Sequence, residues 1–305
     1  MMRDALFGGV NAAVLTPMHA DFSVDLDRMA AHCRWLMANG CNGLGILGTT
    51  GEANSLGIGE RLAIMEGLVE RGIPAQVLLP GVGTPALTDT VLLARRAADL
   101  GCRGVLALPP FFYKNPSDDG LFAYFATVIE RVGPRTAFYL YHFPAQSAVP
   151  FGLDLIARLL RAFPGVVKGL KDSSGDFANT RSYVEAFAST GFEVYCGDDG
   201  ALRDLLLIGG AGSISAASNV SSAVNAAVYS APDSPGGIAA QQTLSALRKA
   251  VTSVPLIPGL KALIARHRAD PTWTTIRPPH LKLESSAAAR LFAAVDACGA
   301  ALPPA

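Results

Sequence analysis

"GVVKGLKDSS" spans residues 165–174 and reads as one buried strand that ends in a polar turn. Its apolar residues run nearly together instead of alternating, as in a strand covered on both faces within a parallel sheet. Seven other stretches repeat the pattern: 8–17 ("GGVNAAVLTP"), 41–51, 75–83, 104–113, 136–144, 192–200 and 212–218. Each is followed by helical spacing, which predicts helices over 25–39, 58–71, 85–100, 117–132, 152–162, 176–189, 200–208 and 219–230. Eight strand–helix units in about 230 residues point to an α/β fold of the (β/α)₈ TIM barrel type, ahead of an open doubly wound sheet. After "APDSPGG" (231–237) the strands stop, and 238–253, 258–268 and 285–298 read as helices. The expected organisation is a barrel over residues 1–232 and a C-terminal helical extension over 233–305.

Half of the 305 residues are apolar and 16% are charged, which fits a compact globular chain. Lys plus Arg and Asp plus Glu balance at 25 each, with no basic run, so neither nucleic acid nor an anionic membrane is implied as partner. No apolar window is long enough for a membrane span. The five cysteines are widely spaced and odd in number, which favours free thiols in a reducing compartment. With no secretory pattern at the N-terminus, the expected location is the cytoplasm. No two histidines share a close metal-ligand spacing, and no G-x-G-x-x-G precedes a helix, so metal and dinucleotide chemistry are disfavoured.

In such a barrel the site lies at the C-terminal ends of the strands. Those ends carry "GTTGE" (48–52), "PPFFYKNPS" (109–117), Tyr141, Lys171 with Asp172, "GDDG" (197–200) and "GSIS" (212–215). Lys168 and Lys171 are three apart on one strand and therefore face opposite sides. Lys171, nearer the strand end, is the one expected to enter the site. A neutral amine there is a nucleophile that forms Schiff bases with keto groups. The competing reading is a lysine paired with a carboxylate at the rim, and position alone does not separate the two. Tyr141, at the end of the neighbouring strand, can carry protons over such an amine. Thr49, Thr50 and Gly51 offer hydroxyls and backbone N–H groups on a tight turn suited to a carboxylate. "GGAGS" (209–213) reads as a tight turn ahead of the last strand.

Taken together, "GTTGE", "YHFP" (141–144), "GLKDSSGD" (169–176) and "GDD" (197–199) resemble the dihydrodipicolinate synthase / N-acetylneuraminate lyase family, in order and in spacing. The resemblance implies a class I aldolase on a (β/α)₈ barrel, assembled as a homotetramer, with no metal or organic cofactor. It implies pyruvate bound as an imine to Lys171, with Tyr141 transferring protons. Thr49 and Thr50 would serve the pyruvate carboxylate and the proton relay, and the Ile214 backbone would face pyruvate. Two departures stand out. Members that make dihydrodipicolinate carry an arginine where this chain has Gln146, which cannot form a bidentate ion pair. The stretch "PPFFYKNPS" has an extra residue, so Tyr113, with Phe112 as rival, is the match for a tyrosine that enters a neighbouring subunit's site. The expected function is aldol cleavage or formation between pyruvate and an aldehyde, with a 2-keto-3-deoxy sugar acid or 4-hydroxy-2-oxoglutarate as substrate. Asp198 is a candidate contact to that substrate. Dehydration of a 2-keto-3-deoxy acid, true dihydrodipicolinate synthesis and a non-catalytic keto-acid-binding barrel are the alternatives.

Overall fold

The computed structural model describes residues 5–304. Its seven regular strands are β1 (Gly9–Ala13), β2 (Gly43–Gly45), β3 (Gly104–Ala107), β4 (Ala137–His142), β5 (Val167–Asp172), β6 (Glu193–Cys196) and β7 (Gly212–Ser215). All pair in parallel, in the order β2-β1-β7-β6-β5-β4-β3. The opening between β2 and β3 is filled by residues 78–82, which bridge Leu44 through Leu78 and Leu106 through Gly81. There Leu79 N–H donates to Leu44 O at 2.9 Å and Val82 N–H to Leu106 O at 2.9 Å. The ring therefore closes as a (β/α)₈ barrel.

The eighth stave corrects one expectation, because 75–83 is not a regular strand. Pro74 and Pro80 have no N–H to give a ladder, and Ala75–Val77 coil into a 3₁₀ turn. The chain then passes so close to its neighbour that a Cβ on Gly81 would lie 2.2 Å from Leu47 O.

Around the barrel run α1 (Leu26–Ala38), α2 (Ile58–Glu70), α3 (Leu87–Asp99), α4 (Asp118–Val132), the single turn α5 (Pro144–Ser147), α6 (Leu153–Ala162), α7 (Phe177–Phe187), α8 (Leu202–Leu207) and α9 (Ser218–Ser230). Side-chain caps fix several starts: Arg28 N–H donates to Asp25 at 2.8 Å and Ala178 N–H to Asp176 at 2.9 Å. Strand parity sorts the apolar residues into two layers. Val10, Leu44, Leu140, Leu170 and Val194 pack outward against the helices, whereas Tyr139, Tyr141, Tyr195 and Ile214 fill the barrel. Large aromatic rings inside need room, and glycine supplies it. A Cβ on Gly169 would come within 2.9 Å of the Tyr139 ring. At the N-terminal end of the barrel, the buried Glu193 carboxylate accepts O–H bonds from Tyr139 (2.8 Å) and Tyr195 (2.6 Å) and the Leu6 N–H at 2.8 Å.

Three further helices follow: α10 (Pro235–Val251), α11 (Leu256–His267) and α12 (Ser285–Asp296). Their core of Leu247, Leu260, Ile264, Trp273 and Leu291 packs on Leu15 and Val220 of the barrel. His32 on α1 sits at this junction, fully buried, 5.0 Å from the Trp273 ring. Asn219 Oδ1 already accepts the Leu15 N–H, so the His32 Nε2 contact to it at 2.9 Å makes Nε2 the protonated nitrogen. Burial pushes the imidazole down to about 4, against the opposing pull of Asn219. The unfolded chain therefore binds more protons below its ordinary value of 6.5. Stability carried by neutral His32 is complete above pH 6.5 and is lost as pH falls toward 4, by about 3 kcal/mol in all. Urea midpoints at pH 7 and pH 4 are expected to fall further apart in the native chain than in His32→Gln. Parallel decline of the two proteins would contradict this.

Candidate active site

The C-terminal ends of the strands open into a cavity of about 570 Å³. Its inner end is lined by Thr49, Thr50, Tyr141 and Lys171. Lys171 is an inward residue of β5: Gly169, two before it, faces Tyr139 inside the barrel. Lys168 points the other way and lines a separate cleft with Leu160 and Arg161. Tyr141 and Lys171 are cross-strand partners, and Lys171 Nζ lies 4.2 Å from the centre of the Tyr141 ring. Both side chains are buried, at 4% and 5% exposure.

Lys171 forms no ion pair among the described residues, because the carboxylates nearest in sequence and in the cavity are engaged elsewhere. Asp172 faces outward and accepts bonds from Ser174 N–H (2.9 Å), Asn179 Nδ2 (3.1 Å) and Thr180 Oγ1 (2.6 Å) at the start of α7. Glu52 is held by Lys261 Nζ at 2.5 Å. Asp198 faces Arg248. The rim ion pair that competed with a free amine in the sequence is therefore not formed.

Thr49 Oγ1 stands 3.5 Å from the Tyr141 hydroxyl, at the outer limit of a hydrogen bond. The "GTTGE" turn that carries it is bounded by two left-handed residues, Leu47 and Glu52, both at φ +56°. Such backbone is costly for non-glycine residues and persists only where surroundings enforce it. Enforcement at Glu52 comes from the C-terminal segment: Lys261 on α11 and the Arg277 N–H before α12, at 3.3 Å, both engage its carboxylate. Gly51 is buried, with its carbonyl accepting the Thr16 hydroxyl at 2.8 Å. Ile214 lies inside the barrel beside these residues, in the same apolar cluster as Tyr141.

Gln146 on α5, Ser173 and Asp198 line the outer part of the cavity. "GDD" splits: Asp198 faces the cavity, whereas Asp199 is fully buried and accepts from Asn225 Nδ2 at 3.2 Å, with burial pushing its carboxyl up. Tyr113 lies outside the cavity, 76% exposed, edge-on to Phe112, which is 69% exposed. "GGAGS" sits at the N-terminal end of β7, away from the site, as a tight turn whose Gly212 has φ +145°.

Sequence reasoning missed one wall of the cavity. Arg248 of α10, the Leu256–Pro258 start of α11, Pro279 and His280 all line it. Strand-end logic looks only at the barrel loops, and the contribution of packed C-terminal helices has no local pattern.

A family model described as "Dihydrodipicolinate synthetase family" matches residues 6–298. The chain belongs to that family. Family membership makes it a pyruvate-dependent class I lyase. Among relatives, it is 34% identical to an uncharacterized DapA-like lyase of Chloroflexus aurantiacus, over 97% of this chain and 98% of that one. Dihydrodipicolinate synthase of Agrobacterium tumefaciens superposes with a TM-score of 0.87 at 32% identity, covering 95% of this chain and 99% of the other. YagE, a prophage protein of the family from E. coli K12 solved in complex with pyruvate, superposes with a TM-score of 0.89 at 29% identity, covering 97% and 99%.

Proposed function

We propose that the protein is an aldolase in which Lys171 forms a Schiff base with the C2 keto group of pyruvate. The observation that carries this is the Lys171 amine itself, buried at the inner end of the cavity, against the Tyr141 ring and without a carboxylate partner among the described residues. In the cleavage direction the amine attacks C2 of a 4-hydroxy-2-oxo acid and water leaves, giving a protonated imine. The C3–C4 bond then breaks and its electron pair flows into the imine. The C4 hydroxyl loses its proton through Tyr141 and the Thr49–Thr50 hydroxyls, and the aldehyde departs. Protonation of the enamine at C3 and hydrolysis return pyruvate and free Lys171. Thr49, Thr50 and Gly51 hold the pyruvate carboxylate at backbone N–H groups, with the Ile214 backbone across from it.

For the aldehyde half, Gln146, Ser173 and Asp198 present amide, hydroxyl and carboxylate groups to the outer cavity. These suit a hydroxylated chain, so the reading is a 2-keto-3-deoxy sugar acid or 4-hydroxy-2-oxoglutarate. Tyr113 is assigned to a neighbouring subunit's site in a homotetramer, in keeping with its exposure next to Phe112. Five free cysteines accord with the cytoplasm. A panel of such acids assayed for pyruvate release tests the substrate class. Consumption of the acid without pyruvate release would replace cleavage by dehydration.

Tyr141→Phe keeps the ring against Lys171 but removes the hydroxyl. It is expected to lower kcat about 10²- to 10⁴-fold, with the pyruvate imine still forming. A kcat within about threefold of the native value would remove Tyr141 from the proton path.

A further inference from the structure

One charged residue in the cavity plays no part in that chemistry. Arg248 is the one guanidinium lining the cavity among the described residues, and it comes from α10, not from a barrel loop. Its position is fixed from the same helix. Gln241, seven residues earlier and so on the same face, donates from Nε2 to Asp199 O at 3.0 Å and to Gly200 O at 3.1 Å, and accepts the Arg203 N–H at 3.0 Å. Leu244 and Leu247 between them are buried. This ties α10 to the "GDDG" loop and sets Arg248 over Asp198, with Nε 3.3 Å from Oδ1.

That contact makes its shortest approach through Nε, and it is the one ion pair of Arg248 among the described residues. The two Nη groups, which can grip a carboxylate or phosphate side-on, donate no hydrogen bond among the described residues. The remaining charges of the cavity do not compete for them. Glu52 belongs to Lys261, and Lys171 is consumed by the imine. Asp198 can accept hydroxyls of a bound chain while Arg248 holds its end.

We infer that Arg248 is a specificity-determining residue that selects hydroxylated aldehydes ending in an anion, carboxylate or phosphate. It would supply from the C-terminal helices the cation that Gln146 cannot. The inference rests on the Lys171 imine, and its test separates the two. Pyruvate is condensed with D-glyceraldehyde, tartronate semialdehyde and D-glyceraldehyde 3-phosphate, which are neutral, carboxylate-bearing and phosphate-bearing, respectively. The native enzyme is expected to favour one of the anionic aldehydes by at least about tenfold in kcat/KM, and which one identifies the anion. Arg248→Met is expected to erase most of that preference, and Arg248→Lys to restore part of it. Where no aldehyde reacts, glycerol, glycerate and glycerol 3-phosphate titrated calorimetrically at saturating pyruvate give the same comparison as binding.

Equal losses on all three compounds would overturn the inference and leave Arg248 as the counter-ion of Asp198. No preference in the native enzyme would overturn it as well. Failure of the imine reading has a different signature: borohydride and pyruvate would leave Lys171 unmodified in the native enzyme and in Arg248→Met alike.

Discussion

Lys171→Ala is expected to lower kcat/KM for pyruvate release by about 10⁴-fold or more, because it removes the nucleophile on which every later step depends. No other amine can take its place. Among the described residues Lys171 is the one lysine lining the cavity, Lys168 opens onto a separate cleft, and Lys261 is buried against Glu52. Lys171→Arg is expected to be as inactive, since a guanidinium keeps the charge but is not a nucleophile. The fold should survive, because among the described residues Lys171 forms no ion pair whose partner would be stranded. Pyruvate release coupled to lactate dehydrogenase, with a thermal midpoint on the same sample, separates lost chemistry from lost structure. A loss below about tenfold in a folded Lys171→Ala would exclude the imine.

The second large effect is on stability. Lys261 and Glu52 are both buried, with side chains 1% and 0% exposed. Burial pushes the Lys261 ammonium down, and Glu52 opposes that shift. The amine also donates to Thr275 O at 2.8 Å. Removing one member leaves an unpaired charge in the interior, which typically costs about 3–5 kcal/mol. Lys261→Met is therefore expected to lose about that much, and to weaken pyruvate binding as well, because Glu52 anchors the left-handed end of the "GTTGE" turn. Glu52→Gln combined with Lys261→Met removes both charges and should recover part of the loss. Denaturant midpoints for the single and double variants read this directly. A Lys261→Met protein as stable as the native one would show that the pair carries no such role.

Much of this was legible in the sequence where one local rule sufficed. The helix starts expected at 25 and 176 fall within one residue of the observed starts, where Asp25 and Asp176 prove to be the caps, and the three-residue offset between Lys168 and Lys171 assigned each to its own face. Near-continuous apolar runs marked the strands, with one exception. Residues 75–83 carry the same composition, but Pro80, the preceding Pro74 and a backbone contact at Gly81 reduce them to isolated bridges. The inner end of the site was readable because each of its members ends a strand. The outer wall was not. Arg248 looks like an ordinary basic residue in the last turn of a helix, and only the docking of α10 through Gln241 turns it into the cavity. Lys261 likewise reads as a surface lysine until α11 folds over Glu52. Both are tertiary effects between segments some 200 and 50 residues apart, as Glu52–Lys261 and Asp198–Arg248 show, and local periodicity carries no trace of them.

The most direct test is covalent. The native protein is incubated with pyruvate and sodium borohydride, and its intact mass and peptide map are recorded. The expected result is one added pyruvate-derived group per chain, on Lys171, absent when either reagent is omitted and absent from Lys171→Ala. An unmodified chain, or an adduct on any other lysine, would contradict the account.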